Sequence, residues 1–349
     1  MSMVELRPTK LRLSWGAAAM AVLGAAVLVG IFVGPVSLDP RHVVLELTDR
    51  LPFLDAHSGF SEQESAILWQ LRVPRVVLAG VVGAMLSLAG AAYQGVFRNP
   101  LADPYLLGVA AGAGLGATMA IAYLPGATSW PVDPLPLAAF LGALVGVIAT
   151  YALGRTGART TTATTLVLAG VAMASFFTAL QTFVQQRESD ALRQVYSWIL
   201  GHLTTSSWDE VVLVLPYVVV AGAAILVHRR LLDVLSVGDE EADSLGVDTR
   251  RVRLLLVVAA SLGTGAVVAV SGLIGFVGVI VPHTVRLLFG TSYRLVLPFS
   301  IVVGAAFMIL ADLAGRTLIA PAEIPIGVIT AFLGAPFFIF ILRRNRRLA

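Results

Sequence analysis

Side chains that could do chemistry are rare within the long apolar stretches of this sequence. Asp312 is the one clear carboxylate in such a stretch, and Arg316 follows it four residues later. Residues four apart share one face of a helix, so this spacing predicts an ion pair. A proton or ion ligand within a membrane is the alternative role for Asp312. His283 follows Pro282 at the end of another apolar stretch, where we expect a packed or capping side chain.

Motifs for catalysis within the chain are absent. A P-loop for ATP has the pattern GxxxxGK[ST], whose lysine meets the phosphates, whereas the only lysine here is Lys10, near the N-terminus. The HExxH pattern of zinc proteases is missing, and the chain has no cysteine. We therefore expect neither a catalytic site nor a metal site in this chain, and any ATP chemistry is expected on a partner.

The apolar stretches themselves indicate a helical membrane protein. The 349-residue chain is 57% hydrophobic and 13% charged, against roughly 25% charged residues in soluble domains. Each stretch approaches or exceeds the roughly 20 residues that cross a bilayer as a helix, and the one at 254–282 is long enough for two helices if it turns at Ser271–Gly272. The sequence thus predicts an all-α integral membrane bundle of about ten spans. The uncharged stretches are 13–38, 76–97, 104–132, 134–154, 160–186, 211–227, 254–282, 295–311 and 324–342.

Basic residues predict the orientation of this bundle. With the N-terminus placed inside, the inner connections carry most of the 24 Lys and Arg residues, as the positive-inside rule requires. Both termini are then expected to be cytoplasmic. The basic residues left on the outer side are Arg41, Arg50, Arg72, Arg75, Arg187, Arg193 and Arg316.

Two connections are longer than a turn. The outer one, 39–72, contains "SEQESAILWQL", which predicts a short amphipathic helix on the membrane face. The inner one, 228–253, has an acidic centre, basic flanks and the breakers Gly238 and Gly246, and it predicts two short helices with a bend. "GAMLSLAG" at 83–90 and "GAVVAVSG" at 265–272 lie on spans of opposite direction, as in an inverted repeat. Chance is the alternative, because small residues are common in membrane helices.

Four motifs in order carry a resemblance to a known family. They are "LRVPR" at 71–75, "FRNPLADPYLLG" at 97–108, "SGLIGFVGVIVPHTVRLL" at 271–288 and "AEIPIGVITAFLGAPFFIFIL" at 322–342. Together they resemble the FecCD family, the permease subunits of type II ABC importers for ferric siderophores, haem and cobalamin. The resemblance implies that residues 1–349 form one permease domain with the type II importer fold and the inverted repeat, in a bacterial inner membrane.

Partners also follow from the resemblance. It implies a second copy of the chain, two ATP-binding cassette subunits that hold ATP and Mg²⁺, and an extracytoplasmic substrate-binding protein. A bound cofactor in this chain and a nucleic-acid partner are not expected.

The same resemblance implies roles for individual residues. Asn99 and Leu101 are similar to positions of the family's cytoplasmic gate, while Thr162 and Thr164 in "TTTATTLVLAG" resemble its second element. Ala163 stands there where a hydroxyl often sits, so the threonine that faces the path is left open. Arg72, Arg75 and Arg316 match arginines that pair with glutamates of the binding protein. The coupling segment that docks into the ATPase is matched by 228–253, and its contact residues by Gly238, Asp239, Glu240, Glu241, Leu245 and Gly246.

The resulting expectation is a permease that moves an iron chelate, either a ferric siderophore or haem, inward by alternating access. Partner ATPases would drive the movement. A cobalamin permease of the same type is the first alternative, and an ion-coupled secondary transporter is the second. The scarcity of carboxylates in the spans argues against ion coupling, because an ion-coupled carrier needs ligands there.

Overall fold

A computed structural model of the chain describes residues 13–49, 59–124, 133–155, 163–204 and 206–345. Helices dominate these residues. In chain order the α-helices are α1 Leu13–Phe32, α2 Pro40–Asp49, α3 Glu62–Ala66, α4 Val73–Val96, α5 Val109–Tyr123, α6 Pro134–Arg155, α7 Ala163–Arg187, α8 Leu192–Ile199, α9 Trp208–Val227, α10 Arg229–Leu235, α11 Asp239–Ser244, α12 Thr249–Ser271, α13 Val277–Phe289, α14 Tyr293–Thr317 and α15 Ile326–Asn345.

Each of the ten spans predicted from the sequence corresponds to an apolar helix among the described residues, seven of them of full spanning length. Seven helices are long and apolar enough to cross a membrane, and α5, α13 and α15 are shorter apolar helices. The long stretch at 254–282 does turn after Ser271, where Gly272 has a φ of 68° and α12 ends. The all-α fold and the multi-pass membrane character are therefore confirmed.

One prediction for the connection 39–72 is wrong. "SEQESAILWQL" is not a separate surface helix, because α3 continues through a π-helical turn, Ile67–Arg72, directly into α4. Ser61 and Glu64 form a capping box that starts this continuous helix. The wider π turn directly precedes Pro74. Because proline has no N–H to donate, one helical hydrogen bond is missing there, and the π turn accommodates this gap. The short helix of this connection is α2 instead.

Small residues let the central helices pack closely. The bundle is built around α4 and α12, each 78% buried over its apolar window, with α14 next to them. A Cβ atom at Gly83 of α4 would overlap the Gly304 carbonyl of α14, and one at Gly90 would overlap the Gly278 carbonyl of α13. Such backbone contacts are the usual role of glycine in membrane helices. The inverted repeat stays a prediction.

The helices bring two groups of polar side chains to opposite ends of the bundle. The 24 residues of α4 span about 36 Å at 1.5 Å per residue. Where α4 begins, it meets the ends of α1 and α14; we call this the Arg75 end. Where α4 ends, it meets α10 and the start of α14, and Arg98 just beyond it pairs with Asp239 of α11, which also pairs with Arg253 of α12; we call this the Asp239 end. The two short helices predicted in 228–253 are confirmed as α10 and α11.

Candidate functional site

Arg75 lies at the centre of the charge cluster at the Arg75 end. Its Nε and Nη2 lie 3.0 and 2.9 Å from Oδ1 of Asp312. Its Nη1 and Nη2 donate to the two Oε atoms of Glu323, each at 2.9 Å. The planar guanidinium thus holds two carboxylates at once, which is the geometry that arginine recognises best.

The predicted pair of Asp312 and Arg316 is present, but it is the weaker contact of Asp312. Nε of Arg316 lies 3.5 Å from Oδ2 of Asp312 without making a hydrogen bond, while its Nη2 donates to the Gly30 carbonyl of α1. Both residues are buried, each 2% exposed as a whole residue. Sequence spacing found this pair and missed the closer contact with Arg75, which lies 237 residues away in the chain.

Arg72 has a different environment. Its guanidinium is buried and donates to the carbonyls of Ile31, at 3.2 Å, and of Phe32 and Val36. A cation at these carbonyls satisfies acceptors that the end of α1 leaves open. The structure thus brings Arg72, Arg75 and Arg316 to one end, as the docking prediction requires. In the isolated chain, all three guanidinium groups contact carbonyls or carboxylates of the chain itself. Their docking role stays a prediction.

A cavity of about 130 Å³ opens beside Arg75 and Glu323. Thr204 donates to Glu323 at 3.3 Å. Hydrogen bonds from Arg75 hold the pKa of the Glu323 carboxyl below its ordinary value, whereas burial and the charge of Arg75 lower the pKa of His202. At neutral pH the cavity therefore presents an anionic Glu323 and a neutral His202. The residues that line it are Arg75, Ser197, Gly201, His202, Leu203, Thr204, Asp312, Gly315, Glu323, Ile324, Pro325 and Ile326.

Asp239 organises the opposite end. Its carboxylate lies 2.9 Å from the guanidinium of Arg253, at the start of α12, and 3.3 Å from that of Arg98, after the end of α4. Arg98 directly precedes Asn99, whose side chain accepts a bond from the Leu101 amide at 2.9 Å. A residue predicted for coupling, Asp239, is therefore ion-paired with the immediate neighbour of the predicted gate residue Asn99.

The other residues predicted for coupling form a knob that is exposed except at Gly238, which is buried. Glu240, Glu241, Leu245 and Gly246 are all exposed, with Leu245 70% exposed despite being apolar. Gly238, at a φ of 154°, precedes α11, and Gly246, at a φ of 79°, follows it. Positive φ at both bends suits glycine. Among these coupling residues, only Asp239 is described with an ion pair to the spans.

The second gate element is only partly described. Thr162 lies outside the described residues, and Thr164 is exposed in the first turn of α7. Further along α7, a Cβ atom at Gly170 would overlap the Leu106 carbonyl. This part of α7 thereby packs against the short segment Pro104–Leu107, and the gate role of Thr162 and Thr164 stays a prediction.

Sequence reasoning missed the polar contacts that hold this connection. Asp103 accepts a bond from the Tyr105 amide at 2.8 Å and caps the 3-10 helix Pro104–Leu107. Burial raises the pKa of Asp103 to about 6. The Tyr105 hydroxyl accepts from the amide of Ile274 and donates to its carbonyl, both at 3.0 Å. The tyrosine thus ties the connection to the turn between α12 and α13.

The fold and these two ends define a class: a multi-pass helical membrane protein with a charged cluster at one end and a folded knob at the other. Comparisons with known proteins make the class specific. The sequence model of the FecCD transport family matches residues 22–344. The chain belongs to this family, as the motifs predicted.

Several relatives match nearly the whole chain. The ABC transporter permease protein YvrB of Bacillus subtilis is 37% identical, covering 97% of both chains. The cobalamin import permease BtuC of Halobacterium salinarum is 38% identical over 95% of this chain and 96% of its own. The Fe(3+)-citrate import permease YfmE of Bacillus subtilis is 34% identical over 92% of each.

A solved structure supports the same assignment. A metal-chelate type ABC transporter in an inward-facing conformation superposes with a TM-score of 0.81 at 28% identity, over 95% of this chain and 100% of that one. Members of the family are transport components of ABC transporter complexes, and the ATPase is a separate subunit. The homologues with named cargo import iron chelates or cobalamin.

Proposed function

We propose that this chain is the permease subunit of a binding-protein-dependent ABC importer that moves an iron chelate inward by alternating access. The observation that carries the proposal is the match along nearly the whole chain to permeases of this kind, including one for Fe(3+)-citrate. The iron cargo would be a ferric siderophore or haem. Cobalamin is the second candidate, favoured by the 38% identity to a cobalamin permease.

The proposed complex contains two copies of the chain as one permease domain each, two ATPase subunits and one extracytoplasmic binding protein. ATP and Mg²⁺ would be bound by the ATPases, and no cofactor by this chain. The complex would lie in a bacterial inner membrane with both termini in the cytoplasm. The Arg75 end would then face the binding protein and the Asp239 end the ATPases, in agreement with the bias of basic residues.

The mechanism we propose runs between these two ends. The knob at Gly238, Asp239, Glu240, Glu241, Leu245 and Gly246 would dock into the ATPase. Asp239 would pass its movement to Arg98 and so to Asn99 and Leu101, which with Thr162 and Thr164 would close the inner end of the path. Because Arg253 holds the same carboxylate at 2.9 Å, α12 would move together with the knob.

An ion-coupled transporter is less well supported. Asp312, the carboxylate buried near the end of α14, is already bound by Arg75 and contacted by Arg316. A carboxylate with two cations beside it is a poor carrier of protons or cations, since its charge is already balanced.

Co-purification from mild detergent tests the proposal. We expect the tagged chain to retain a stoichiometric P-loop subunit with vanadate-sensitive ATP hydrolysis, together with a binding protein. The chelate that this binding protein captures would identify the cargo. A folded chain that elutes alone and without ATPase activity would contradict the proposal.

A further inference from the structure

The two carboxylates on Arg75 differ in how firmly they are held. Asp312 belongs to α14, and its side chain is only 3% exposed. Glu323 belongs to the connection between α14 and α15, borders the cavity and is 26% exposed. Both make paired contacts with the guanidinium. Of the two, Glu323 is the one that can leave without crossing the protein interior.

Glu323 is also attached to the start of α15. The next amide, of Ile324, donates to the Gly315 carbonyl of α14 at 2.9 Å, and the Gly327 amide donates to the Leu200 carbonyl after α8 at 3.0 Å. The pair of Arg75 and Glu323 therefore fastens the first turn of α15 to α4 and α14. Loss of the pair would leave this turn held by backbone hydrogen bonds and packing.

Among the side chains that form ion pairs around Arg75, charge is balanced only while Glu323 is in place, whereas Arg72 at the same end is satisfied by backbone carbonyls. Arg75 and Arg316 are positive, Asp312 and Glu323 are negative, and the neighbouring His202 is neutral at pH 7 because burial lowers its pKa. Departure of Glu323 would leave one positive charge uncompensated in a half-buried site. Such a site favours a replacement carboxylate with the same bidentate geometry.

We propose that Glu323 is an internal competitor for the carboxylate site of Arg75. An acidic side chain of the docking protein exchanges with it, and the exchange releases the first turn of α15. Asp312 keeps the guanidinium in position throughout. The inference rests on the proposed function, because the partner's carboxylate is supplied by the binding protein. It adds that docking and loosening of α15 are one event.

The release of α15 is tested without any partner. Full-length chain in nanodiscs is compared with Glu323→Gln by hydrogen exchange at the amides of Ile324 and Gly327. We expect exchange in the variant to be about tenfold faster, as the loss of a charged hydrogen-bonded pair predicts. Glu62→Gln, an exposed carboxylate in α3, is the matched control and leaves exchange unchanged. Equal exchange in Glu323→Gln and wild type overturns the proposal.

The competition is tested with the binding protein recovered by co-purification. Glu323→Gln is expected to raise its docking affinity about tenfold, whereas Arg75→Gln is expected to abolish docking. A merely structural role for Glu323 predicts weaker docking, so the direction of the change separates the two. If wild type docks and Glu323→Gln docks equally well or worse, Glu323 is no competitor. If wild type itself docks no partner, the proposed function fails, and the exchange measurement alone decides whether Glu323 fastens α15.

Discussion

At the residue scale, Arg75 shows how strongly the packing of several helices can depend on one side chain. It joins α4 to α14 through Asp312 and to the start of α15 through Glu323. A buried carboxylate that loses its cation is strongly destabilising, because its desolvation is no longer compensated. Of the three predicted docking arginines, Arg75 is the one that lines the cavity.

Arg75→Gln is expected to lower the free energy of unfolding by about 3 kcal/mol. The reason is that Asp312 would keep only its 3.5 Å contact with Arg316. Thermal unfolding in detergent measures the change. Arg251→Gln is the control, since Arg251 pairs with Asp248 on the surface and such pairs contribute at most about 1 kcal/mol. Similar midpoints for the two variants would contradict this account of the cluster.

Asp103 is expected to make stability depend on pH. Burial raises its pKa from 3.8 to about 6 in the folded chain, so the folded chain binds this proton more tightly than the unfolded chain. Stability from this group is then present below about pH 4 and is lost as the pH rises through about 6. Asp103→Asn keeps an acceptor for the Tyr105 amide and carries no charge.

Unfolding midpoints of wild type and Asp103→Asn between pH 4 and pH 8 test this. The unfolding midpoint of the variant should rise relative to that of wild type as the pH increases. Above about pH 7 the difference between the two midpoints should be constant. A difference that does not vary with pH would show that Asp103 is solvated in the folded chain.

At the scale of elements, hydrophobic length predicted the spans and glycines predicted the bends. The seven spanning helices and the three shorter apolar helices follow from uncharged stretches, and α10 and α11 follow from the breakers Gly238 and Gly246. The failure at "SEQESAILWQL" has a local cause, because a π-helical turn carries the helix past Pro74. Neither the period of the sequence nor its composition indicates such a turn. The pair of Arg75 and Asp312 was equally unpredictable, since nothing local relates residues on different spans.

Asp239→Asn is expected to uncouple ATP hydrolysis from transport. The neutral side chain would lose the attraction to Arg98 and Arg253, while the exposed knob residues would still dock. We expect ATPase activity to continue and uptake per ATP to fall severalfold. Asp243→Asn, an exposed position in the same helix α11, is the control and should transport as wild type does. Full coupling in Asp239→Asn would remove this carboxylate from the mechanism.

Gly83→Val is expected to disrupt the packing of α4 on α14. Its Cβ would overlap the Gly304 carbonyl, and overpacking of this kind costs about 1–3 kcal/mol or more. Gly16→Val is the matched control in α1, because no atom lies within 4 Å of a Cβ there. Melting of the purified chains in detergent should separate the two variants. Comparable melting would mean that the two helices can move apart freely.

At the scale of the whole molecule, the proposed docking and coupling sites stand at opposite ends of α4, about 36 Å apart. The central helices α4, α12 and α14 touch both ends, since the end of α12 accepts a bond from His202 beside Arg75 and the start of α14 packs on the end of α4. A movement of the knob therefore need not pass through the peripheral helices. Sequence motifs predicted which residues gather at each end. They did not predict that Arg72 and Arg75 are already engaged within the chain, because that depends on carbonyls and carboxylates from distant spans, whereas the spacing to Asp312 did predict a partner for Arg316.

Uptake into proteoliposomes that contain the co-purified complex tests the central claim most directly. Radiolabelled ferric chelate and cobalamin would be offered with the binding protein, with and without ATP on the side of the ATPases. We predict uptake of one of them that requires ATP and the binding protein and persists when ionophores collapse ion gradients. If the chain alone, without ATPase subunits, takes up cargo and ionophores abolish that uptake, the importer assignment is contradicted.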